Sequence, residues 1–345
     1  MADAASGAET NPHEESDHLL EELGPQHDGD GLFIARMRAH QSWWRATRLG
    51  VPCGTGPTAT STTRYGNFLT AEDGRRGMNF LRPGILDVVR SRMAAGPGVE
   101  EFRCLHNLLS SQPLCFNLFA PLVNDSEAAT RFLSALLPDE IGQVRGVWIE
   151  HSPSPKWEYL NDATAFDAFV IYDRLDGMPA FLAIETKLSE PFSAHVYDTP
   201  RYREIARASA AFRDADDPNL ADISWNQLWR DHLLAQALLQ HPSAPEALTG
   251  RLVVVHHPAD NRCLAALTDY RALLASGVTV TNWSLDWLTD QWRDVAVEPD
   301  EEGWVAALSD RYVDLPLSEG AWSRLSASTP TSSPITSTLP TETNP

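Results

Sequence analysis

Near residue 144 the spacing of apolar side chains changes, and that change limits what the chain can fold into. Beyond it, VRGVWIE (144–150), FDAFVIYD (166–173) and PAFLAIETKL (179–188) are short and rich in β-branched and aromatic residues. Turn chemistry such as Asp176-Gly177 bounds them, so they read as three successive strands. Helical spacing returns near 200–213 and 225–240, followed by a strand RLVVVHHP (251–258), a helix at about 260–275, a strand VTVTNWS (278–284) and helices to about 313. Strands that first run together and then alternate with helices predict an α/β fold, a mixed central β-sheet flanked by helices. A helical N-terminal region precedes it. LFIARMRAHQSWWRATRLG (32–50) has helical spacing and ends at Gly50, where a helix is expected to stop. NFLRPGILDVVRSRM, VEEFRCLHNLLSSQ, PLCFNLFAPLV and SEAATRFLSALL repeat that period, with Ser126 as the expected N-cap of the last.

The two ends differ from this body. Residues 1–35 carry nine acids and no Lys or Arg, and SASTPTSSPITSTLPTETNP is a Ser/Thr/Pro tract with too little apolar surface to pack. The expected organisation is therefore an acidic disordered tail over 1–31, a helical region over 32–140 packed on the core, the α/β core over 141–315 and a disordered tail over 316–345. The formal net charge is −20, of which about −11 belongs to the body, and this weighs against avid phosphate binding. Cys53, Cys104, Cys115 and Cys263 are scattered, without the spacing of a zinc site or a disulfide framework. No apolar run reaches about 18 residues and no signal peptide is evident, so no membrane span is expected and the cytoplasm is the default location.

The strands at 166–188 carry charges where a buried strand should have none. A turn at Arg174 to Gly177 makes residues whose numbers sum to about 351 face each other, which sets Asp167 beside Ile184 or Glu185. Glu185 and Lys187 share a face of their strand. Cross-strand neighbours lie about 4.5–5.5 Å apart, where like charges repel. A divalent cation offsets that repulsion, since Mg2+ takes oxygen ligands from one or two carboxylates together with water and phosphate. Lys187 would then stand beside the ion, within reach of a phosphate oxygen or the attacking water. The competing reading makes Glu185 and Lys187 a surface or edge pair and Asp167 a strand-start residue.

An Asp followed by Glu-x-Lys on the next strand of an α/β core resembles the PD-(D/E)XK nuclease superfamily, the restriction-endonuclease-like fold. The resemblance extends over roughly residues 32–315: a helical lead-in, VWIEHSPSP, the loop NDATAFDAF, AFLAIETKLSEPFS and the helix NQLWRDHLLAQALL are similar to a prokaryotic branch of it. It implies a restriction-endonuclease-like core with Asp167 and Glu185 as metal ligands and Lys187 as the catalytic lysine. The superfamily often adds an upstream acid, and Glu150, ending VRGVWIE, is the best match. Phe166 stands where the motif has Pro, a letter that donates no ligand. Composition adds to the lysine: the chain has 25 Arg and only two Lys, Lys156 and Lys187. A compact ammonium approaches a single oxygen and shifts its pKa, which a guanidinium does not.

Other residues are weaker candidates. Glu190 either reaches the site or caps the following loop. Gln236, Arg230 and His232 are options for a polar group from the helix at 226–239, against a solvated face. His256 and His257 end a buried strand and lack a further ligand at helical or hairpin spacing. CGTGPTATS (53–61) lacks the Gly-Lys-Ser/Thr ending of a phosphate loop and reads as a loop. Trp43 and Trp44 suit either base stacking or a core. The expected activity is that of a nuclease, a phosphodiesterase dependent on Mg2+ (or Mn2+) that cuts nucleic acid, DNA before RNA. With no isolated Arg-rich clamp, affinity would draw on a homodimer or a partner protein. The alternatives are a non-catalytic relative that binds nucleic acid or protein, and a hydrolase of small phosphate esters.

Overall fold

The computed structural model describes residues 20–58, 60–192 and 195–328. The tails expected over 1–19 and 329–345 lie outside the described residues. Residues 20–31 and 316–328, assigned to those tails from sequence, are instead held on the body. Leu23 is fully buried, and Asp30 pairs with Arg38 at 2.6 Å.

Helix α1 (Leu32–Trp43) runs on into a π-helical turn (Trp44–Leu49), which Gly50 closes at φ 63°. Strands β1 (Cys53–Thr55) and β2 (Arg64–Leu69) pair antiparallel, so part of the segment read as a loop is a strand. α2 (Ala71–Arg75), α3 (Ile85–Ala94), α4 (Ser111–Phe119) and α5 (Ser126–Leu136) follow. The N-cap of α5 is Asp125 rather than Ser126: its carboxylate accepts from Ala128 N at 2.9 Å. All nine residues of α4 are buried, and Ser110 caps it.

The core alternates as its pattern requires: β3 (Ile141–His151), β4 (Phe166–Arg174), β5 (Pro179–Lys187), α6 (Pro200–Ser209), α7 (Asn226–Leu239), β6 (Thr249–His256), α8 (Asn261–Arg271), β7 (Thr281–Ser284), α9 (Leu285–Arg293) and α10 (Pro299–Tyr312). A last helix, α11 (Glu319–Ser328), returns to α1, where Glu319 meets Arg36 at 3.1 Å. The five strands lie in the order β3-β4-β5-β6-β7, the first three antiparallel and the last two parallel to β5. This is a restriction-endonuclease-like mixed sheet between two helical layers. On one face Ala168, Val170, Leu182, Ile184, Val253 and Val255 pack on Phe116 of α4, Phe132 of α5, Trp292 of α9 and Trp304 of α10. On the other, Phe169, Phe181, Ala183 and Val254 pack on Tyr202 of α6, Trp229 of α7 and Tyr270 of α8. Truncating a fully enclosed ring such as Trp229 or Trp292 to Ala should cost about 3–5 kcal/mol. Among the described residues no helix is long and apolar enough to cross a membrane.

Candidate active site

The register of three strands brings the candidate acids together. Ile149 pairs with Ala168 and His151 with Phe166, which puts Glu150 opposite Asp167. Ala168 pairs with Ile184, so the facing numbers sum to 352, and of the two neighbours expected for Asp167 the one directly across is Glu185. The result is a row, Glu150–Asp167–Glu185, across strands spaced about 4.7–4.9 Å apart. It lies at the end of the sheet between the first turns of α4 and α7, which cover opposite faces. Lys187 follows one pleat further along β5. All four residues line a cleft of about 470 Å³, with Gln112 from α4, Gln227, Arg230 and Asp231 from α7, and Glu190.

Each side chain is held for a local reason. Glu150 sits at φ 53°, a left-handed backbone that a residue with a Cβ adopts at a cost of about 1–3 kcal/mol. Arg92 from α3 steadies that turn, donating to the carbonyls of Ile149 at 3.2 Å and Glu150 at 2.9 Å, while Gln112 Nε2 donates to Glu150 Oε1 at 2.5 Å. Asp167 Oδ2 accepts from Thr186 N at 2.8 Å and Thr186 Oγ1 at 2.6 Å. Glu185 Oε1 accepts from Lys187 Nζ at 2.7 Å and from Gln227 Nε2 at 2.7 Å, and Lys187 donates in turn to Gln227 Oε1 at 2.8 Å. Glu185 and Lys187 are 2% and 4% exposed on the central strand, so this is neither a surface nor an edge pair.

Two features mark the cleft as crowded with carboxyls whose ionised forms the chain does not fully pair. Among the described residues, Glu185 Oε2 and both carboxylate oxygens of Asp231 are buried without a hydrogen-bond partner. Burial, then the charge of Asp167, pushes Glu150 up to about 8 and Glu185 up to about 7. Burial likewise raises Asp167 against the pull of Lys187 and Thr186, and raises Asp231 well above the usual carboxylate range. Burial alone would lower Lys187, yet Glu185 and Asp167 keep it above the ordinary lysine value. The unpaired oxygens are hard donors, the kind that suit Mg2+ or Mn2+. Among the described residues no three His, Cys, Asp or Glu side chains stand in a ready ligating arrangement.

The remaining candidates separate cleanly. Glu190 lines the cleft, but Oε1 accepts from Ser111 N at 2.8 Å and Arg103 at 3.3 Å and Oε2 from Ser189 N at 3.2 Å, so it caps the start of α4 rather than the loop after it. Arg230 reaches the cleft wall, donating to Thr164 Oγ1 at 2.6 Å and Asp162 at 3.2 Å. His232 and Gln236 do not, since they line a larger cavity of about 820 Å³ beside the β4–β5 hairpin. His256 lies outside the cleft, bonded to the His257 carbonyl at 3.0 Å, and Trp44 is buried in a small cluster with Leu69 and Leu108. Gln112, Gln227 and Asp231 were missed. A signal existed for two of them: the crossover between parallel β5 and β6 must begin its returning helix near the C-terminal end of β5, beside Lys187.

A family model of the PD-(D/E)XK nuclease superfamily matches residues 28–314. No curated protein and no solved structure matches the chain.

Proposed function

The chain belongs to the PD-(D/E)XK nuclease superfamily, and from that premise we propose that it is a metal-dependent nuclease that hydrolyses phosphodiester bonds in DNA. The observation that carries this reading is the row Glu150–Asp167–Glu185 with Lys187 beside it, in one cleft, with a buried carboxylate oxygen left unpaired. Asp167 and Glu185 would hold the divalent cation, Mg2+ or Mn2+, and Glu150 would complete the carboxylate shell. Bound there, such an ion supplies Lewis-acid neutralisation of the phosphate charge.

The chain's own groups do the positioning. Gln227 spans Glu185 and Lys187 and so fixes the ammonium in the cleft, where it donates to the attacking water or to a non-bridging phosphate oxygen. The water oxygen bonds to phosphorus, the bond to one sugar oxygen breaks, and the proton released by water ends on that leaving oxygen. No covalent intermediate on the protein is needed.

The test is incubation with linear, circular and single-stranded DNA, and with RNA, in Mg2+ or Mn2+, alongside Lys187→Ala and Glu185→Ala. Cutting by the wild type and loss of at least about a hundredfold in both variants is the expected result. The net charge of −20 favours a second reading, a non-catalytic binding relative. Binding without cutting in any metal would select it.

A further inference from the structure

The register that sets Glu150 opposite Asp167 also sets Trp148 opposite Phe169, two residues back along the strands. At about 3.3 Å per residue, that is about 6–7 Å from the carboxylate row. Here, under the C-terminal end of α7, lies a separate recess of about 390 Å³. The segment 152–165 divides the two: Thr164 and Ala165 line the cleft, Pro153 and Tyr159 the recess.

The recess is built from flat rings. His151 stacks on Phe169 at 4.5 Å and 9°, and Tyr159 stacks on His241 at 5.1 Å and 18°. Trp148 is 43% exposed, and its indole lies back over Gly146, where a Cβ would come within 2.4 Å of the ring. Gly146 therefore sets the pose of an exposed tryptophan. None of the lining residues is Lys or Arg, so the recess offers nothing to a phosphate and much to a flat, uncharged group with a polar edge.

That chemistry meets a need of the whole chain. A protein of net charge −20 gains little from counterion release, so its hold on a polyanion must come from elsewhere. Base–aromatic stacking is such a source, and only a base outside a duplex can supply it. The geometry points to this recess as the seat of one unstacked nucleobase of the substrate strand, with a neighbouring phosphate in the carboxylate cleft, so that the protein selects single-stranded or locally unpaired DNA. This inference rests on the nuclease reading and deepens it.

The test is fluorescence anisotropy with a labelled 12-residue oligodeoxythymidylate and a hairpin duplex of matched length, in EDTA so that binding is read without hydrolysis. Trp148→Ala should weaken single-strand binding by about tenfold or more, Trp148→Phe should retain most of it, and the weak duplex binding should not change. An abasic oligomer should bind the wild type as poorly as oligothymidylate binds Trp148→Ala, and the two losses should not add. Equal affinity of wild type and Trp148→Ala, preference for the duplex, or no binding of the single strand would each overturn the proposal. DNA cutting that survives beside an inert Trp148 defeats the recess and leaves the nuclease standing. Trp148-dependent binding without cutting in any metal does the reverse.

Discussion

The buried triangle of Glu185, Lys187 and Gln227 is where a single side chain matters most. Removing one partner of a buried ion pair leaves the other charge uncompensated, a loss of about 3–5 kcal/mol. Lys187→Met should therefore destabilise the metal-free protein at pH 8, where Glu185, raised to about 7 beside the lysine, is largely ionised in the wild type and in the variant must take up a proton or stand unpaired. The loss should shrink at pH 6, where Glu185 takes up a proton, and the double variant Lys187→Met/Glu185→Gln should recover most of it. Denaturant unfolding at the two pH values reads this, and a Lys187→Met protein as stable as wild type at pH 8 would mean that the pair is not formed. Asp231 poses the opposite case. It is 1% exposed, and among the described residues neither carboxylate oxygen has a hydrogen-bond partner, so no hydrogen bond offsets its burial. Asp231→Leu, of similar size, should stabilise by about 1–3 kcal/mol, read as a higher melting temperature. A lower one would reveal a partner that the folded chain supplies.

At the scale of elements, what the sequence disclosed follows the range of the forces involved. Alternation along a strand and the arithmetic of a tight hairpin are local, so the strand positions, the Asp176-Gly177 turn and the Asp167–Glu185 pairing were legible to within one residue of register. Gln112 and Gln227 reach the cleft from helices 73 and 42 positions away from Glu185, and no short period fixes such a distance. The β1–β2 pair was illegible for a related reason: three residues, Cys53–Thr55, are too few for alternation to register. The docked ends, 20–31 and 316–328, were hidden by composition, because acid-rich and Ser-rich stretches can still be held by a few contacts such as buried Leu23 and the Arg36–Glu319 pair. Glu150 was placed by the end of its strand, but its left-handed backbone was not foreseen, since pattern carries no sign of φ. Glycine adopts φ 53° without the Cβ penalty. Glu150→Gly should thus keep or slightly raise stability while lowering cutting and metal response, whereas Arg92→Ala, which frees the Ile149 and Glu150 carbonyls, should lower both stability and cutting. Paired melting and cleavage assays distinguish the two.

For the molecule as a whole, the cleft makes stability a function of pH and of metal. The carboxyls of Glu150 and Glu185 stand at about 8 and about 7 in the folded chain, against an ordinary 4.5. Between about pH 4.5 and 8 these two carboxyls hold more protons in the folded state than in the unfolded one and so pull stability down as pH rises. The buried imidazoles of His40, His151, His232 and His257, lowered to about 4, act in the opposite sense up to about pH 6.5, so the net fall belongs above that. In EDTA the melting temperature should decline from pH 7 to pH 8. Glu150→Gln and Glu185→Gln should each flatten the decline, because an amide has no proton to lose. A divalent cation binds the ionised carboxylates and not their protonated forms, so Mg2+ or Mn2+ should raise the melting temperature most at pH 8 and hardly at all at pH 5. Asp167→Ala should abolish that rise. Thermal scans across pH, with and without metal, measure all of these at once. A metal-free protein whose melting temperature is level from pH 7 to 8 would mean that the acids are not crowded together. A metal response equal at pH 5 and pH 8 would place the ion on some other part of the surface.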